Sequence, residues 1–178
     1  NTATSALVGY SALPLGLTVR PGSYIFVALP PQIIVYNYGS ADFSSIGGVA
    51  YTISNASVSA YVDNADFNQA RFRGLQRLQY VAAEDRIWAI DNVSCTVRRI
   101  DPTSAMAVST IIGFDQSCSW SAGSGTSARL HRPVVFGVAA DDTNHETIYI
   151  GMRATPMIVS VVRSTLSVSQ YACSGTLS

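Results

Sequence analysis

The two histidines are the side chains in this sequence best suited to general acid–base chemistry. His131 lies in the segment 130–133, and His145 lies in the acidic segment 141–146. A serine hydrolase needs one such histidine held between a nucleophile and a carboxylate. No G-x-S-x-G nucleophile elbow is present, because Gly123-Ser124-Gly125 belongs to a Ser/Gly-rich loop. We therefore predict no catalytic residues.

An acidic cluster around residue 142 offers the hard oxygen ligands that Ca²⁺ prefers. Its residues are Asp141, Asp142, Asn144 and Glu146. The cluster lacks the spacing and the glycine of an EF-hand loop. Asp and Asn are also typical of polar β-turns, where they bond the local backbone. We favour the turn, keep Asp141 and Asp142 as the only metal-ligand candidates, and predict no cofactor.

The cysteines are Cys95, Cys118 and Cys173, and no two of them form a CxxC pair. The spacing therefore indicates neither a zinc site nor a thioredoxin-type site. An odd number of cysteines allows at most one internal disulfide, and the three pairings stay open. Two N-glycosylation sequons begin at Asn55 and Asn92. With the high Ser/Thr content and a start without methionine or leader, they favour a processed, secreted or cell-surface glycoprotein.

The composition is that of one globular domain with a substantial core. The chain has 178 residues, 48% of them hydrophobic and 12% charged, so intrinsic disorder is excluded. Its longest apolar stretch, residues 24–38, is interrupted by Pro30-Pro31 and is too short for a membrane span. We predict no membrane span.

All basic side chains are arginines, and they balance the acidic ones at 11 each. A net charge of zero gives no general field to attract nucleic acid, and we predict no nucleic-acid partner. Arg71, Arg73 and Arg77 fall in one connector, and Arg98 and Arg99 are adjacent on a strand. We expect these arginines on solvated faces.

An internal repeat organises the chain. Ile25, Ile87 and Ile148 begin similar strand-like segments, and they lie 62 and 61 positions apart. Each segment belongs to a unit of four short runs rich in Val, Ile, Tyr and Thr, bounded by Gly, Pro, Asp and Ser. The predicted strands are 15–19, 24–28, 33–36 and 43–46; 78–82, 87–91, 97–100 and 108–112; and 135–139, 148–152, 158–162 and 168–172.

These runs predict an all-β fold made of three four-stranded antiparallel units. The units are residues 13–48, 70–113 and 128–175 of a single domain, 13–178. Residues 1–12 form an N-terminal segment, and 1–10 are expected to pair with a neighbouring strand edge. The connectors are 49–72, with a hairpin formed by 50–53 and 58–62, and 114–130, whose part 117–127 is expected to be a mobile loop. Such insertions often build a binding or assembly surface.

The third unit resembles an NHL repeat of a β-propeller. The resemblance rests on Val108-Ser109-Thr110-Ile111-Ile112-Gly113, Ala128-Arg129-Leu130-His131-Arg132-Pro133, Gly137-Val138-Ala139-Ala140-Asp141 and Thr147-Ile148-Tyr149-Ile150. The second unit matches more loosely through Ala70-Arg71-Phe72-Arg73-Gly74-Leu75. The resemblance implies a propeller-like array without the metal sites of propeller hydrolases, because the matching inner positions are apolar or small.

Three units do not close a propeller ring, which has typically four to eight blades. A β-trefoil, which closes at three units, or another all-β repeat is the alternative fold. The tryptophans Trp88 and Trp120 stand outside any Q-x-W motif of lectin-type trefoils.

An incomplete ring leaves sheet faces bare, and bare apolar faces are usually interaction sites. We therefore expect a secreted, non-enzymatic structural protein that binds copies of itself, as a closed oligomer or an extracellular filament. The alternatives are a carbohydrate-binding, lectin-like domain with glycans as partners, and a propeller-type hydrolase or lyase.

Overall fold

A computed structural model describes residues 13–37, 47–53, 60–102, 106–138 and 146–173. Within them the chain forms three antiparallel sheets of four, four and five strands. The strands are β1 (Gly16–Arg20), β2 (Tyr24–Leu29), β3 (Gln32–Asn37), β4 (Gly47–Ile53), β5 (Leu75–Val81), β6 (Arg86–Asp91), β7 (Thr96–Ile100), β8 (Val108–Ile112), β9 (Gly123–Ser124), β10 (Pro133–Val138), β11 (Thr147–Met152), β12 (Met157–Val162) and β13 (Ser167–Cys173).

Each sheet is an up-and-down meander of four consecutive strands, here called a blade. Blade 1 is β1–β4, blade 2 is β5–β8, and blade 3 is β10–β13 with β9 added outside β13. The predicted repeat is visible in the register, because Ile25, Ile87 and Ile148 pair with Val19, Tyr80 and Val138 on the first strand of their blades. The all-β, propeller-like fold is confirmed.

The first strands of the three blades lie side by side, with β1 and β10 both against β5. Gly16 permits the close approach of β1, because a Cβ there would lie 3.1 Å from the Arg77 Cα and the Leu78 N. Thr18 Oγ1 then accepts a hydrogen bond from the Tyr80 N at 2.9 Å. The blades therefore meet along their inner strands, as in one arc of a propeller.

Two apolar cores fill the spaces between the blades. We call the side of a blade that faces the following blade its forward face, and the opposite side its rear face. The first core joins the forward face of blade 1 to the rear face of blade 2, with Phe26, Val35, Ile87 and Ile100 among its buried residues. The second joins the forward face of blade 2 to the rear face of blade 3. Its main members are Val81, Trp88, Ile90, Val97, Ile148, Ile150, Val159 and Val161.

The fourth strand of blade 1 differs from the prediction. The strand that pairs with β3 is Gly47–Ile53, so residues 50–53 belong to blade 1 and not to a connector hairpin. The expected strand 43–46 lies outside the described residues. The segments 43–46 and 47–53 both mix apolar and small residues, so the local pattern does not distinguish them. Pairing with β3 determines which one forms the fourth strand.

The second connector is also more ordered than expected. Residues 123–124 form β9 against β13, and a 3₁₀ turn follows at Gly125–Ser127. Ser124 Oγ donates to the Thr165 carbonyl at 2.7 Å, and the Gly125 N donates to the Leu166 carbonyl at 3.0 Å. The expected loop over 117–127 therefore contains regular structure that is hydrogen-bonded to blade 3, and its mobility stays a prediction.

Candidate functional site

The predicted site residues are scattered over the molecule, and some lie outside the described residues. Asn55, Asp141, Asp142, His145 and residues 1–12 belong to the latter group. Among the residues that are described, no group of three or more His, Cys, Asp or Glu could hold a metal ion. The described part likewise includes no helix of the length and apolarity that a membrane crossing requires.

His131 occupies a turn at the start of blade 3. Its Nδ1 is 2.5 Å from the Thr155 Oγ1, and its main-chain N donates to the Met152 Sδ at 3.1 Å. The partner of the ring is therefore a hydroxyl on the β11–β12 turn, where a catalytic triad would require a carboxylate.

A disulfide joins Cys95 to Cys118, with the Cα atoms 5.3 Å apart. It ties the β6–β7 turn of blade 2 to the connector that leads to blade 3. The sequence left three pairings open, and this is the one that the structure contains. Cys173 ends β13, and its side chain lies outside the described residues.

Asn92 lies in the β6–β7 turn, beside the disulfide. Its side chain is half-buried, and the Ser94 of the same sequon is fully buried. Glycosylation at Asn92 stays a prediction, as does that at Asn55.

The two connectors share one backbone plan. In the first, Val62 and Arg71 form a two-residue bridge, with Val62 N to Arg71 O at 3.2 Å and Arg71 N to Val62 O at 3.0 Å. In the second, Ser121 and Arg129 make the same pair of bonds, at 3.2 and 2.9 Å.

The arginine of each bridge folds back on its own connector. Arg71 Nη1 donates to the carbonyls three and one residues before it, at 2.6 and 2.7 Å. Arg129 Nη1 does the same at 2.7 and 2.8 Å. The segments Ala70-Arg71-Phe72 and Ala128-Arg129-Leu130 are therefore structural equivalents. Their apolar members, Ala70 and Phe72, and Ala128 and Leu130, are buried in the cores between the blades.

Each connector begins at the outer edge of the blade that follows it in sequence. Asn64 exchanges backbone hydrogen bonds with Val108 of β8, at 3.0 and 2.8 Å. Gly123 pairs in the same way with Val168 of β13. Each connector thus runs from the last strand of its blade to the first, and it closes that blade.

Arg98 is completely buried, although we expected it on a solvated face. Its Nε and Nη2 donate to Asp63 Oδ1 at 3.1 and 2.6 Å, and its Nη2 also donates to the Val62 carbonyl at 2.6 Å. Its Nη1 donates to the Arg71 carbonyl. The prediction is wrong for Arg98 because the first connector supplies acceptors for its donors. Arg99, the next residue, is exposed as expected.

Two aromatic rings and a second carboxylate also lie near the guanidinium of Arg98. The guanidinium carbon lies 4.6 Å from the Phe72 ring centroid and 5.0 Å from that of Tyr61. Nη1 is also 4.0 Å from the Oδ2 of Asp91, a fully buried carboxylate. Asp91 accepts hydrogen bonds from the Arg73 N at 2.9 Å and from the Gly74 N at 2.8 Å. Arg98 therefore fixes the first connector on blade 2.

Ion pairs join neighbouring blades at the rim opposite the disulfide. Arg20 of blade 1 binds Asp85 of blade 2 through two hydrogen bonds of 2.6 Å. These bonds lower the pKa of Asp85 and raise that of Arg20. Burial, followed by the hydrogen bond to Asp85, raises the pKa of Tyr80. Between blades 2 and 3, Arg163 lies 3.5 Å from Glu84, and within blade 3 it also lies 2.9 Å from Glu146.

None of the described residues forms a blade against the forward face of blade 3. Tyr149 and Ile158 occupy the register positions that Trp88 and Val97 fill in blade 2. Tyr171 packs edge-on against Tyr149, with ring centroids 4.8 Å apart, and its side chain is 63% exposed. Val135, Ile158 and Val162 are exposed large apolar residues on the same face.

The rear face of blade 1 is exposed along β1, whereas Ile34 of β3, on the same face, is buried. Leu17 and Val19 occupy the positions of Leu78 and Tyr80 in blade 2, and Leu17 is 61% exposed. Ile25, on the second strand, is half-buried where the equivalent Ile87 is completely buried. The described residues therefore expose apolar side chains at both ends of the array, on the forward face of blade 3 and along β1 of blade 1, and these two end faces are the candidate functional site.

Comparisons with known proteins bear on the fold. No protein-family model and no curated protein match the sequence. An auxiliary nutrient binding protein from Bacteroides thetaiotaomicron is similar in structure, with a TM-score of 0.62 and 15% sequence identity. The matched region covers 90% of this chain and 36% of that protein's chain. An auxiliary nutrient binding protein from Bacteroides ovatus matches 92% of this chain and 48% of its own, with a TM-score of 0.52 and 13% identity.

A structural genomics protein of unknown function from Bacteroides thetaiotaomicron also matches, over 90% of this chain and 36% of its own, with a TM-score of 0.60 and 11% identity. At these identities the similarity shows a propeller-like fold. The chain spans between about a third and a half of the length of these structures.

Proposed function

We propose that this chain is an extracellular, non-enzymatic interaction module of NHL-like blades, which assembles with further blades through its two end faces. The observation that carries the proposal is the exposure of Leu17 and Tyr171 at positions where blades 1 to 3 otherwise bury apolar side chains against each other. Exposed apolar faces of this kind mark protein–protein interaction sites.

Two further features support an extracellular location and a binding role. The Cys95–Cys118 disulfide is of a kind that persists in oxidising compartments. The ring of His131 is bound to a hydroxyl and is not oriented by a carboxylate, which favours binding over hydrolysis. Assembly through the end faces gives either a closed oligomer or an extracellular filament.

Hydroxyl-radical footprinting of the chain, expressed through a eukaryotic secretory pathway and collected from the medium, tests the proposal. Tyr171 is 63% exposed in the single chain, and Phe114, on the connector rim away from both end faces, is 58% exposed. These two aromatic side chains therefore form a matched pair within one molecule.

We expect Tyr171 to be oxidised several-fold more slowly than Phe114, because assembly buries the end face and leaves the rim in water. Similar rates at the two residues would overturn the proposal. The same sample, analysed by mass before and after enzymatic removal of N-glycans, tests the predicted glycans at Asn55 and Asn92, and an absence of secreted material would contradict the location.

A further inference from the structure

We infer that a cleft on the forward face of blade 2 binds a small organic molecule through its carboxylate group, with Arg99 as the residue that recognises it. The cleft is lined by Arg86, Arg99, Asp101, Ala107 and Ser109 and has a volume of about 180 Å³. All five residues belong to blade 2 or to its turns, and none lies on an end face of the array. The inference therefore goes beyond the proposed function and does not depend on it.

The strand register places the polar residues of the cleft on one face of the sheet. Trp88, Arg99 and Ser109 lie opposite one another on β6, β7 and β8, so they form one row across the forward face. Arg86 and Asp101 are each two residues from a member of that row and form the next row. Trp88 is completely buried against blade 3, whereas Arg99 is exposed. The cleft therefore begins where the core between the two blades ends.

Arg86 and Asp101 form a fixed wall of the cleft. The Arg86 Nη2 lies 3.1 Å from the Asp101 Oδ2. The Arg86 Nη1 donates to the carbonyls of Glu84 and Asp85, at 3.3 and 2.9 Å. These contacts already hold both side chains in place, so a ligand does not have to order them, which lowers the entropic cost of binding.

Arg99 and Ser109 are available to a ligand. Within the described ranges, neither the Arg99 guanidinium nor the Ser109 hydroxyl bonds to another residue. Blade 3 has Ser160 and Ser169 at the same register positions, and their hydroxyl oxygens are hydrogen-bonded at 3.0 Å. The repeat therefore does not require an arginine here, and the positive charge is specific to blade 2.

A carboxylate is the group that fits this arrangement. A guanidinium presents paired N–H donors whose spacing matches the two oxygens of a carboxylate, and the Ser109 hydroxyl can donate a further hydrogen bond. Two arginines and one aspartate give the cleft a formal charge of +1, which one carboxylate balances. A phosphate dianion would place excess negative charge beside Asp101. The volume is below the roughly 300 to 1,000 Å³ of sites for drug-sized ligands, so the ligand is small.

Saturation-transfer NMR with D-glucuronate as the probe tests the site, because the method detects weak ligands of large assemblies. Glucuronate carries one carboxylate on a small sugar ring, and glucose is the matched neutral compound. We expect glucuronate to bind with a Kd on the order of 1 mM, since one ion pair and one hydrogen bond support no tighter affinity. Glucose should bind at least about 10-fold more weakly.

Three variants locate the binding. Arg99→Met should raise the Kd for glucuronate at least about 10-fold, and Ser109→Ala should raise it less, because a neutral hydrogen bond is weaker than a charged one. Arg153→Met, in the β11–β12 turn at the other rim, is the matched control. Arg153 is also exposed, and its guanidinium bonds to no other residue in the described part of the chain. Circular dichroism checks that each variant folds.

Several results would overturn the inference. An absence of transfer to glucuronate at millimolar concentration excludes the site, and equal binding of glucose excludes recognition of the carboxylate. An equal loss with Arg153→Met, or no loss with Arg99→Met, excludes recognition by Arg99. Displacement of glucuronate by less inorganic phosphate than acetate assigns the cleft to phosphate instead. None of these results depends on the protection of Tyr171, so the cleft and the proposed assembly can fail separately.

Discussion

The first connector, of which the structure describes residues 60–72, and the second, residues 114–130, close their blades by the same backbone route and are fixed by different chemistry. The buried side chain of Arg98 fixes the first connector, because its guanidinium binds Asp63 and two connector carbonyls. In the second, Ala128 and Leu130 are buried in the same core as Val159, which occupies the register position of Arg98, and the Cys95–Cys118 disulfide ties the connector to blade 2. One connector is held by a buried cation, and the other by an apolar contact and a covalent bond.

This difference shows which parts of the repeat the fold requires. The bridge of Val62 with Arg71 recurs as that of Ser121 with Arg129, so the route of the connector is common to both blades. The corresponding core position is arginine in blade 2 (Arg98) and valine in blade 3 (Val159). The arginine can be buried because its polar groups have hydrogen-bond partners. Buried charge is therefore a property of blade 2 and not of the repeat.

The largest effect that we expect comes from Arg98→Met. The substitution keeps most of the side-chain volume but removes the cation from two carboxylates, one of which, Asp91, is fully buried. Breaking a buried ion pair from one side costs about 3 to 5 kcal/mol, which we expect as a loss in the free energy of unfolding measured with urea. The neighbouring, exposed Arg99→Met should change it by less than about 0.5 kcal/mol. Equal effects of the two substitutions would show that Arg98 does not fix the connector.

The double variant Cys95→Ser/Cys118→Ser breaks the corresponding restraint on the second connector. The cysteines are 23 positions apart, and a disulfide that closes a loop of this length contributes about 3 kcal/mol by restricting the unfolded chain. We expect a loss of that size in the unfolding free energy. Dithiothreitol should lower the stability of the wild type to the same value and leave the variant unchanged. A variant as stable as the oxidised wild type would mean that Val159 and its neighbours suffice.

The smallest effect belongs to the opposite rim, where the two interfaces between blades resemble each other. Asp85→Asn and Glu84→Gln each remove a carboxylate bound to an arginine of the adjacent blade, Arg20 and Arg163 respectively. These pairs are partly exposed, so we expect losses below about 1 kcal/mol for both. A much larger loss for one of them would show that the two interfaces are not equivalent.

The Asp85 pair also has a definite pH dependence. Its pKa is lowered in the folded chain, so the stabilisation is complete above the ordinary value for aspartate, about 4, and is lost as the pH falls through the folded value. The difference in unfolding free energy between the wild type and Asp85→Asn should therefore disappear in acid and persist at neutral pH. Urea titrations at a series of pH values measure it.

The sequence predicts the blades well because their information is local. Alternate residues of the run around Ile87 enter the two apolar cores, and alternate residues of the runs around Ile25 and Ile148 each enter one of them. The structure places all three runs on the second strand of a blade. The sequence predicts the fourth strand of blade 1 at residues 43–46, and the structure has it at Gly47–Ile53, because two adjacent segments fit the same pattern. Only pairing with β3, which the local sequence does not specify, selects Gly47–Ile53.

The features of the connectors could not be predicted in this way because they depend on distant pairings. Arg98 and Asp63 are 35 positions apart, and the burial of an arginine depends on acceptors that such a distant segment provides. One signal was present in the sequence: Ala70-Arg71-Phe72 recurs as Ala128-Arg129-Leu130, 58 positions later. Aligning the second strands on Ile87 and Ile148, which are 61 positions apart, places Arg98 opposite the apolar Val159 and marks it as a buried position. The incomplete ring predicts exposed sheet faces at the ends of the array. Which residues lie on those faces follows only from the register of the strands.

The order in which a connector and its blade leave the ribosome has a consequence for biosynthesis. Asn64 is synthesised well before its partner Val108, and Gly123 before Val168, so blades 2 and 3 stay open until their last strands have emerged. Closing such long loops slows folding. Cys118 follows β8 in the chain, so it reaches Cys95 only after every strand of blade 2 has been made. In a nascent chain, oxidation of this pair would therefore report that synthesis of the second blade is complete.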